Sequence, residues 1–556
     1  MKQIRNAIFI LIGIIVVSCS KSPDVIYYNG KIYTLNSKNA IVEAIAVKNG
    51  KIIDLGKNDE IKNKYNSNNS LDLQGKTVIP GFIDSDGSLV DFSMELSRFN
   101  NLIDLRNCSN VKQILKLVED KIKSQNAGYW VGGYGWNENN ITDADDINKS
   151  LLDKISNTLN IYLINSDGTI VWCNSKLLGT LNIDKDTKEP VNGEFDKDEN
   201  GELSGLLFGS AVNLVNEKLP KFTKNDLLNS IETGANELLK YGITEIHDRS
   251  VNSESISAFR ELIDSGKFPI RIFAVLTGND KSFDEYLKKG IEINYKDRLT
   301  VRSVTIDYDG SVELQTASMR DDYKTEPKKT NPYCDEPTIE NILRKALDKN
   351  FQFTIKTVGD KAVNNTLNII EKISKEKKLD NPRIKFDGIE FVQSSDINRL
   401  KEFKIIPSIK PEACLYDIDV IPLKIPISNL KNFALWNTLL QNCGMITTSS
   451  GFPFSHSINP FVQIYYLTNR QFLDTLRNDI PSDNQKLSIL DALKSYTIWP
   501  AYSGFEEDIK GSLEKGKFAD MIVISDDIFN IDSKKLPNIK VLKTIIDGKL
   551  CYEYKE

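Results

Sequence analysis

Histidine is the residue that this sequence lacks most clearly. Its 556 residues include only two histidines, His247 and His456. Imidazole is the commonest ligand of catalytic transition metals, so little material is available for a histidine-rich metal centre. The seven cysteines are widely scattered and contain no C-x-x-C pair. Their spacing therefore signals neither a zinc knuckle nor a disulfide framework.

An excess of one charge is also absent. The sequence has 71 basic and 77 acidic residues, which gives a formal net charge of -6. This near balance is typical of a solvated globular surface, without a basic stripe for nucleic acid. Periodic repeats, heptads and long low-complexity tracts are missing as well. The length is sufficient for a large core and for more than one domain.

The apolar run that comes nearest to a membrane span is at the N-terminus, and it is short. Lys2 and Arg5 precede an uninterrupted run of eleven apolar residues, Ala7–Val17. A helix of that length reaches about 17 Å, whereas a hydrocarbon core is about 30 Å thick. We therefore predict that residues 1–18 are a signal peptide.

The end of this run, Val16-Val17-Ser18-Cys19, resembles a bacterial lipobox, in which the cysteine is acylated and becomes the new N-terminus. We expect a lipid anchor on Cys19 and a tether over residues 19–23, since two or three acyl chains hold a protein stably on a membrane. The expected location is the bacterial cell envelope, on its periplasmic or surface side. The alternative is an ordinary signal peptide followed by a coincidental cysteine.

Both ends of the sequence have the pattern of short strands joined by tight turns. Asn29-Gly30 and Asn49-Gly50 separate strand-like runs near the start, and Asp547-Gly548 separates two near the end. Such dipeptides are typical of two-residue hairpins. Residues 24–76 and 505–556 are therefore predicted to form one composite β-sandwich.

The middle of the sequence alternates strand-like runs with amphipathic stretches. About eight such units predict an α/β fold, a (β/α)8 TIM-like barrel over residues 77–504, with an insertion near 125–215. Functional side chains are then expected at the C-terminal ends of the strands. The clearer strand candidates are Thr77–Asp84, Asn160–Ile164, Ile243–Ile246, Ile270–Val275, Val301–Ile306, Phe351–Ile355, Arg383–Val392 and Met445–Thr448, with Ile405–Ile409 as a ninth. The clearer helical stretches are Val111–Lys123, Asn225–Lys240, Ser253–Ser265 and Ala362–Lys375.

Two motifs at the ends of this barrel carry a family resemblance. Residues 77–85, TVIPGFIDS, resemble the first barrel strand of the amidohydrolase superfamily, and residues 511–520, GSLEKGKFAD, resemble its return into the β-sandwich. From about residue 24 onwards the chain is similar to the amidohydrolase 3 group, which includes deformylase-like and imidase-like enzymes. Supporting stretches follow in order at residues 130–136, 171–175, 242–244, 309–311 and 358–362.

The resemblance implies zinc or another divalent metal and hydrolysis of carbon–nitrogen bonds other than peptide bonds. The family holds its metal with a His-x-His after the first strand, a lysine, two further histidines and a late aspartate. Carried over residue by residue, these positions fall on Asp86, Ser88, Thr305, Lys356, Phe391 and Gly451. A substrate-side histidine of the family is replaced by Thr169.

The chemistry of these replacements predicts that the metal site is lost. A catalytic zinc needs about three protein ligands from histidine, cysteine or carboxylate. Only Asp86 keeps such a group, Phe391 and Gly451 have no ligating side chain, and Lys356 brings a positive charge. We therefore predict no resident metal.

Lys356 also suggests what replaces the metal. We expect its ammonium to point into the barrel mouth and to pair with Asp86 or a neighbouring carboxylate, because a buried acid without a partner is strongly destabilising. The alternative is that Lys356 extends to solvent.

Each histidine has a functional and a structural interpretation. His247 is predicted to end its strand beside Asp248 and to face the mouth, either as a general base or substrate contact, or as a packed, hydrogen-bonded support. His456 is predicted to lie in a loop after the last strand, in a structural or rim-exposed position. Asp309 and Asp360 adjoin helix-starting turns, where capping is their expected role.

Four aromatic residues of the predicted insertion are expected near the barrel mouth. They either line a pocket for an apolar or ring-bearing ligand or pack the insertion itself. The residues are Trp130, Tyr134, Trp136 and Trp172.

Two functions follow from these predictions. The first is an exported lipoprotein, a pseudoenzyme that keeps an amidohydrolase shell for binding or scaffolding. The second is a working hydrolase of amide, imide or formamide bonds that uses Asp86, His247, Lys356 and Glu390, or a metal held by carboxylates. The expected partners are the membrane, through Cys19, and a small-molecule ligand, but no nucleic acid.

Overall fold

The computed structural model describes residues 22–124, 130–138, 140–166, 168–219, 223–324, 332–418, 420–453, 455, 457–473 and 483–555. The predicted signal peptide, Cys19 and His456 lie outside the described residues. In the described ranges, no helix is both long enough and apolar enough to cross a membrane.

The strands of the described residues are numbered in chain order: β1 (Val25–Tyr28), β2 (Lys31–Tyr33), β3 (Ile41–Val42), β4 (Ala44–Lys48), β5 (Lys51–Gly56), β6 (Ser70–Asp72), β7 (Thr77–Pro80), β8 (Phe82–Gly87), β9 (Ile103–Asp104), β10 (Trp130–Trp136), β11 (Asn160–Asn165), β12 (Ile170–Cys173), β13 (Gly193–Lys197), β14 (Leu203–Gly209), β15 (Ile243–Val251), β16 (Arg271–Thr277), β17 (Glu292–Tyr295), β18 (Leu299–Asp307), β19 (Gln352–Lys356), β20 (Lys385–Asp387), β21 (Ile406–Ile409), β22 (Thr447–Thr448), β23 (Met521–Ile524), β24 (Val541–Ile546) and β25 (Lys549–Glu553).

The helices are numbered in the same way: α1 (Asn58–Lys64), α2 (Leu89–Asn101), α3 (Val111–Ser124), α4 (Lys149–Asp153), α5 (Ser175–Leu181), α6 (Val212–Lys218), α7 (Lys224–Leu239), α8 (Ser253–Asp264), α9 (Lys281–Lys289), α10 (Glu336–Asp348), α11 (Asp360–Glu376), α12 (Ser394–Glu402), α13 (Pro411–Asp417), α14 (Ile421–Lys424), α15 (Trp436–Cys443), α16 (Pro460–Asn469), α17 (Ile489–Ser495) and α18 (Ile498–Ser503). Short 3-10 helices lie at Ala144–Asp146, Ile427–Asn432, Asp483–Gln485 and Ser533–Asn538.

Strands from both ends of the chain form the small β domain. One sheet has the order β25-β24-β23-β7-β2-β3, so that C-terminal strands pair with N-terminal strands, and a second has the order β5-β4-β1-β6. Asn49 and Asp547 adopt positive φ at their turns, as expected for Asn-Gly and Asp-Gly hairpins. The composite β domain expected from the sequence is therefore present.

Eight parallel strands form the barrel, in the order β22-β21-β20-β19-β18-β16-β15-β8. The sheet is nearly closed, and a side chain links its two edges: the Ser85 hydroxyl of β8 donates a hydrogen bond to the Thr448 carbonyl of β22 at 3.0 Å. The predicted (β/α)8 barrel with a terminal β domain is confirmed.

The predicted helices are also present, as α3, α7, α8 and α11. In α11, Val363, Leu367 and Ile370 are buried at the spacing of three to four residues that places side chains on one face of a helix. Burial of this apolar face against the sheet explains why the stretch is helical between two barrel strands.

The predicted first barrel strand is divided at Gly81. Thr77–Pro80 pairs with β2 and β23 in the β domain, and the barrel strand β8 begins at Phe82. A Cβ atom on Gly81 would lie only 2.3 Å from the Thr244 side chain, so the crossing between the two domains accepts glycine alone. The prediction of one continuous strand, with the barrel beginning at residue 77, was wrong.

Asn160–Ile164 does not belong to the barrel either. It lies in β11 of a separate six-stranded sheet, β13-β14-β12-β11-β10-β9, inserted between the barrel strands β8 and β15. The ninth strand candidate, Ile405–Ile409, supplies barrel strand β21 instead. Both segments are buried and apolar, which does not distinguish one sheet from another.

Two of the four aromatic residues pack the insertion. Trp136 and Trp172 are buried in its core, and their indole nitrogens donate to the carbonyls of Leu163 and Asn148, each at 3.0 Å. Trp130 is partly buried and packs edge-on against Tyr162. The Arg106 guanidinium lies over the Tyr134 ring, 5.4 Å from its centroid.

Candidate functional site

Asp86 is the centre of a buried ion cluster at the C-terminal end of β8. Its Oδ2 lies 2.6 Å from Lys410 Nζ and its Oδ1 lies 3.5 Å from Arg249 Nε. The Asp86 side chain is only 2% exposed. Burial alone would raise the pKa of Asp86, but Arg249, Lys410 and Lys385 outweigh it and hold the pKa well below its usual value. Asp86 is therefore ionised, and its charge is neutralised by cations of this chain.

Arg249 links this carboxylate to a second strand. It lies near the end of β15, which pairs with β8, and its Nη2 donates to Asp307 Oδ1 at 2.6 Å. Asp307 is the last residue of β18. The guanidinium thus bridges two carboxylates, and its attraction to Asp86 raises the pKa of Arg249 further above its usual value.

Lys410 occupies space that a side chain at position 451 would otherwise need. It follows directly on β21, and a Cβ atom on Gly451 would lie 3.1 Å from Lys410 Cδ and 3.7 Å from Lys410 Nζ. Gly451 also has a φ of 76°, where glycine is favoured. At the position that the resemblance assigned to the family's late aspartate, the space beside the backbone is thus filled by Lys410.

A second lysine lies inside the barrel. Lys385 begins β20, is 2% exposed, and donates from Nζ to the Ser85 carbonyl at 2.7 Å. Asp387 lies two residues further along the strand, so both side chains are on the same face, and Asp387 Oδ1 is 3.2 Å from Lys385 Nζ. Burial raises the pKa of Asp387. Lys385 therefore adds a second ammonium beneath the Asp86 cluster.

Lys356 is not the partner of Asp86. Among the described residues, no carboxylate oxygen lies within 4.0 Å of Lys356 Nζ. The prediction was wrong because Lys356 ends β19, on the opposite side of the barrel from β8, whereas Arg249 and Lys410 approach from nearer strands. Lys356 is only partly exposed, and its pKa is lowered by burial and by Lys410.

The other ligand positions have local structural partners or none. The Ser88 hydroxyl donates to Asp91 Oδ2 at 2.6 Å at the start of α2. Phe391 is fully buried, with its ring centroid 5.0 Å from that of Phe433. Thr305 is buried in β18, and its hydroxyl has no hydrogen-bond partner in the part of the chain that the structure describes. None of these three side chains offers a strong metal ligand.

Asp309 and Asp360 anchor loops, which refines their predicted capping role. The Asp309 carboxylate accepts backbone N–H bonds from Ser318, Val358 and Gly359 at 2.8–2.9 Å, and the last two residues lead into α11. Asp360 is the first residue of α11, and its Oδ1 accepts the Arg320 N–H at 2.9 Å. Burial raises the pKa of Asp309 to about 6.

His247 lies within the barrel rather than at its rim. The prediction that it ends its strand was wrong, because β15 continues to Val251. Its ring packs against Phe273 at a centroid distance of 4.6 Å, and its Nε2 is 3.6 Å from Glu245 Oε1. Neither ring nitrogen has a hydrogen-bond partner among the described residues. Burial, with Lys385 and Lys510, holds the pKa of His247 well below its usual value, so the ring is neutral.

Glu390 follows the short strand β20 and is buried. It contributes, after burial and Asp309, to the raised pKa of the Tyr323 phenol. Of the four catalytic candidates, Asp86 and Lys356 are thus at the ends of barrel strands, Glu390 is in the loop after one, and His247 is deeper. The sequence prediction missed Arg249, Lys385, Asp387 and Lys410.

These missed residues had a visible signal. Lys385 and Asp387 are charged residues two positions apart in the predicted strand Arg383–Val392. Lys410 directly follows the predicted strand Ile405–Ile409. In a strand buried on both faces, charges at that spacing share one face and need partners there.

The donor set does not fit the metal that the resemblance implied. Asp86 is the one carboxylate, histidine or cysteine among the positions that the resemblance assigned to metal ligands, and the Lys410 ammonium 2.6 Å from its Oδ2 repels a dication there. Within the described residues, no three histidine, cysteine, aspartate or glutamate side chains are grouped so as to hold a metal ion.

Comparison with known proteins identifies the family behind this barrel. The amidohydrolase family model, Amidohydro_3, matches residues 70–552. The chain belongs to the amidohydrolase family. This amidohydrolase-family chain is 24% identical over 538 residues to the putative amidohydrolase YtcJ of Bacillus subtilis. The similarity covers 95% of this chain and 99% of YtcJ. The chain is 22% identical to the N-substituted formamide deformylase of Arthrobacter pascens, over 95% of this chain and 98% of the deformylase.

Solved structures of the same fold agree. An uncharacterized metal-dependent hydrolase from Pyrococcus horikoshii has a TM-score of 0.71 at 22% identity, over 92% of this chain and 99% of its own. A second, from Pyrococcus furiosus, has a TM-score of 0.70 at 23% identity, over 91% of this chain and 100% of its own. The family resemblance predicted from the sequence is confirmed.

Proposed function

We propose that this amidohydrolase-family chain is a metal-independent, non-hydrolytic binding protein of the bacterial cell envelope. The observation that carries the proposal is the ion pair between Asp86 Oδ2 and Lys410 Nζ, at 2.6 Å. In metal-dependent hydrolysis a dication polarises the scissile group and generates hydroxide from bound water. An ammonium has no open coordination position, so it cannot generate hydroxide from a bound water, and the charge of Lys410 is paired with Asp86.

The changes at the mouth are consistent with one exchange of charge. Asp86 places a buried negative charge where the family resemblance implies a histidine, and Lys410 and Arg249 supply the positive charge that a dication would otherwise bring. Gly451 leaves room for the Lys410 side chain. Because a buried carboxylate without a partner is strongly destabilising, this replacement keeps the shell folded without a metal.

The envelope location rests on the N-terminal sequence. A charged start, an eleven-residue apolar run and Cys19 precede a β domain whose first strand begins at Val25. A lipid on Cys19 would place that domain close to the membrane surface. Incorporation of labelled palmitate in the producing bacterium, lost in Cys19→Ala, tests this part of the proposal. Unlabelled wild-type protein in the soluble fraction would contradict it.

The enzymatic part is tested on the soluble form that begins after Cys19. We expect metal content far below one equivalent, and no amide, imide or formamide hydrolysis that zinc or manganese stimulates. Retention of one equivalent of metal, with hydrolysis that a chelator abolishes, would overturn the proposal.

The alternative is a working hydrolase of non-peptide carbon–nitrogen bonds. Similarity to the formamide deformylase along nearly its whole length favours it. Its candidate residues are Asp86, His247, Lys356 and Glu390. Against it, Asp86 is held by two cations and His247 is buried against Phe273. Metal-independent turnover that Asp86→Asn abolishes would favour this alternative.

A further inference from the structure

Lys356 is exceptional among the lysine and arginine residues of the mouth. Lys410 is paired with Asp86, Arg249 with Asp86 and Asp307, and Lys385 with Asp387. Lys356 has no carboxylate oxygen within 4.0 Å in the described part of the chain. One ammonium of the cluster therefore lacks a direct counter-ion.

The strand register, with the ion pairs of the adjacent acids, explains why Lys356 has no carboxylate partner among the described residues. Its direct neighbours in the parallel strands β18 and β20 are Asp307 and Asp387, and adjacent strands are close enough for long side chains at such positions to contact each other. Asp307 instead accepts from Arg249, and Asp387 pairs with Lys385. Both adjacent acids are thus engaged by other cations.

A second donor without a partner lies on the adjacent strand. The Thr305 hydroxyl is buried and has no hydrogen-bond partner among the described residues. Thr305 is two residues before Asp307, so its side chain is on the same face of β18 as the acid that is in register with Lys356. A buried polar group without a protein partner calls for an explanation, and a bound water, ion or ligand is one.

We propose that Lys356, with Thr305, forms a binding site for the carboxylate of a monoanionic small molecule at the barrel mouth. This inference rests on the proposed function and specifies the class of its ligand. The carboxylate would supply the counter-ion that Lys356 lacks, and its second oxygen would accept a hydrogen bond from the Thr305 hydroxyl.

The surrounding charges select for a single negative charge. Asp307 and Asp309 are close enough to oppose the lowering of the Lys356 pKa by burial and by Lys410. They would attract the ammonium but repel a dianion such as phosphate. Among the described residues of the mouth, Lys356 alone has no carboxylate partner, so a monoanion balances the site and a dianion would exceed it.

The test uses the full chain, purified in detergent, and two probes, acetate and inorganic phosphate. Binding is measured by isothermal titration at mildly alkaline pH, where inorganic phosphate is mainly the dianion. We expect acetate to bind and phosphate to bind more weakly. Lys356→Met should weaken acetate binding about tenfold or more, the scale of one charge-assisted hydrogen bond, whereas Lys356→Arg should retain most of the affinity.

Lys361→Met is the matched control. Lys361 is exposed on the first turn of α11 and the substitution makes the same change of charge, so acetate binding should be unaffected. Wild-type protein that does not bind acetate, a Lys356→Met variant that binds it normally, or tighter binding of phosphate would each overturn the inference. Metal is assayed in the same samples: one bound equivalent would refute the proposed function, whereas metal-free protein that ignores acetate would refute only the ligand class.

Discussion

The barrel mouth and the junction between the barrel and the β domain have different relations to their family motifs. At the junction, Asp520 of the motif at residues 511–520 accepts Arg271 Nε and Nη2 at 2.7 and 2.9 Å, and Gly81 of the motif at residues 77–85 packs against Thr244. At the mouth, the six positions that the resemblance assigned to metal ligands include one carboxylate, Asp86, and no histidine. The motifs that identify the family therefore specify how two domains join, and they are compatible with a mouth of different chemistry.

Substitution of a buried charge should destabilise the protein more at the junction than at the mouth. Arg271 is 2% exposed and pairs with Asp520 and Asp547. Arg271→Met would leave these carboxylates without their shared partner and should lower the free energy of unfolding by about 3–5 kcal/mol. Chemical denaturation measures the effect.

The control for this prediction is Arg106→Met, which removes an exposed ion pair with Asp104 and should have almost no effect. Similar losses in the two variants would show that the junction does not depend on its buried ion pairs.

At the mouth, Lys410→Met should destabilise less. Asp86 would lose its nearest cation but keep Arg249 at 3.5 Å, so we expect a loss of about 2–3 kcal/mol in the free energy of unfolding. The double variant Asp86→Asn/Lys410→Met should recover part of this loss, because it no longer buries an under-compensated charge. Equal stability of wild type and Lys410→Met would contradict the role of Lys410 as the replacement for a dication.

The smallest predicted effect depends on pH and concerns His247 inside the barrel. Its folded-state pKa lies well below the unfolded value of about 6.5, so below pH 6.5 the unfolded chain binds the additional proton and stability falls as pH falls. Relative to His247→Gln, the wild type should lose up to about 1.4 kcal/mol per pH unit below about 6.5. The denaturation midpoints of both proteins, measured between pH 7 and 5, test this prediction, because that range includes the pKa of an unfolded histidine. A constant difference across that range would refute the prediction.

The sequence predicted the fold well because periodicity and turn residues are local. The prediction joined two strands into one at Thr77–Asp84, since an apolar run has the same pattern whether it pairs in the β domain or in the barrel. The alternation of strands and helices, by contrast, left few alternatives to a parallel barrel.

The site was predictable only in part. The residues at the positions that the resemblance assigned to metal ligands could be read from the sequence, but the partner of Asp86 depends on which strand ends are adjacent in space. Lys356 is across the barrel from β8, while Lys410 reaches Asp86 from β21 and Arg249 from β15. That arrangement follows from barrel closure, which no local pattern encodes.

The central claim is that Asp86 is neutralised by cations of this chain and not by a metal ion. Titration of zinc into the chelator-treated protein, beside Asp86→Asn, tests it most directly. The account predicts that the wild type has no saturable zinc site that depends on Asp86. A single tight zinc site that disappears in Asp86→Asn would contradict it.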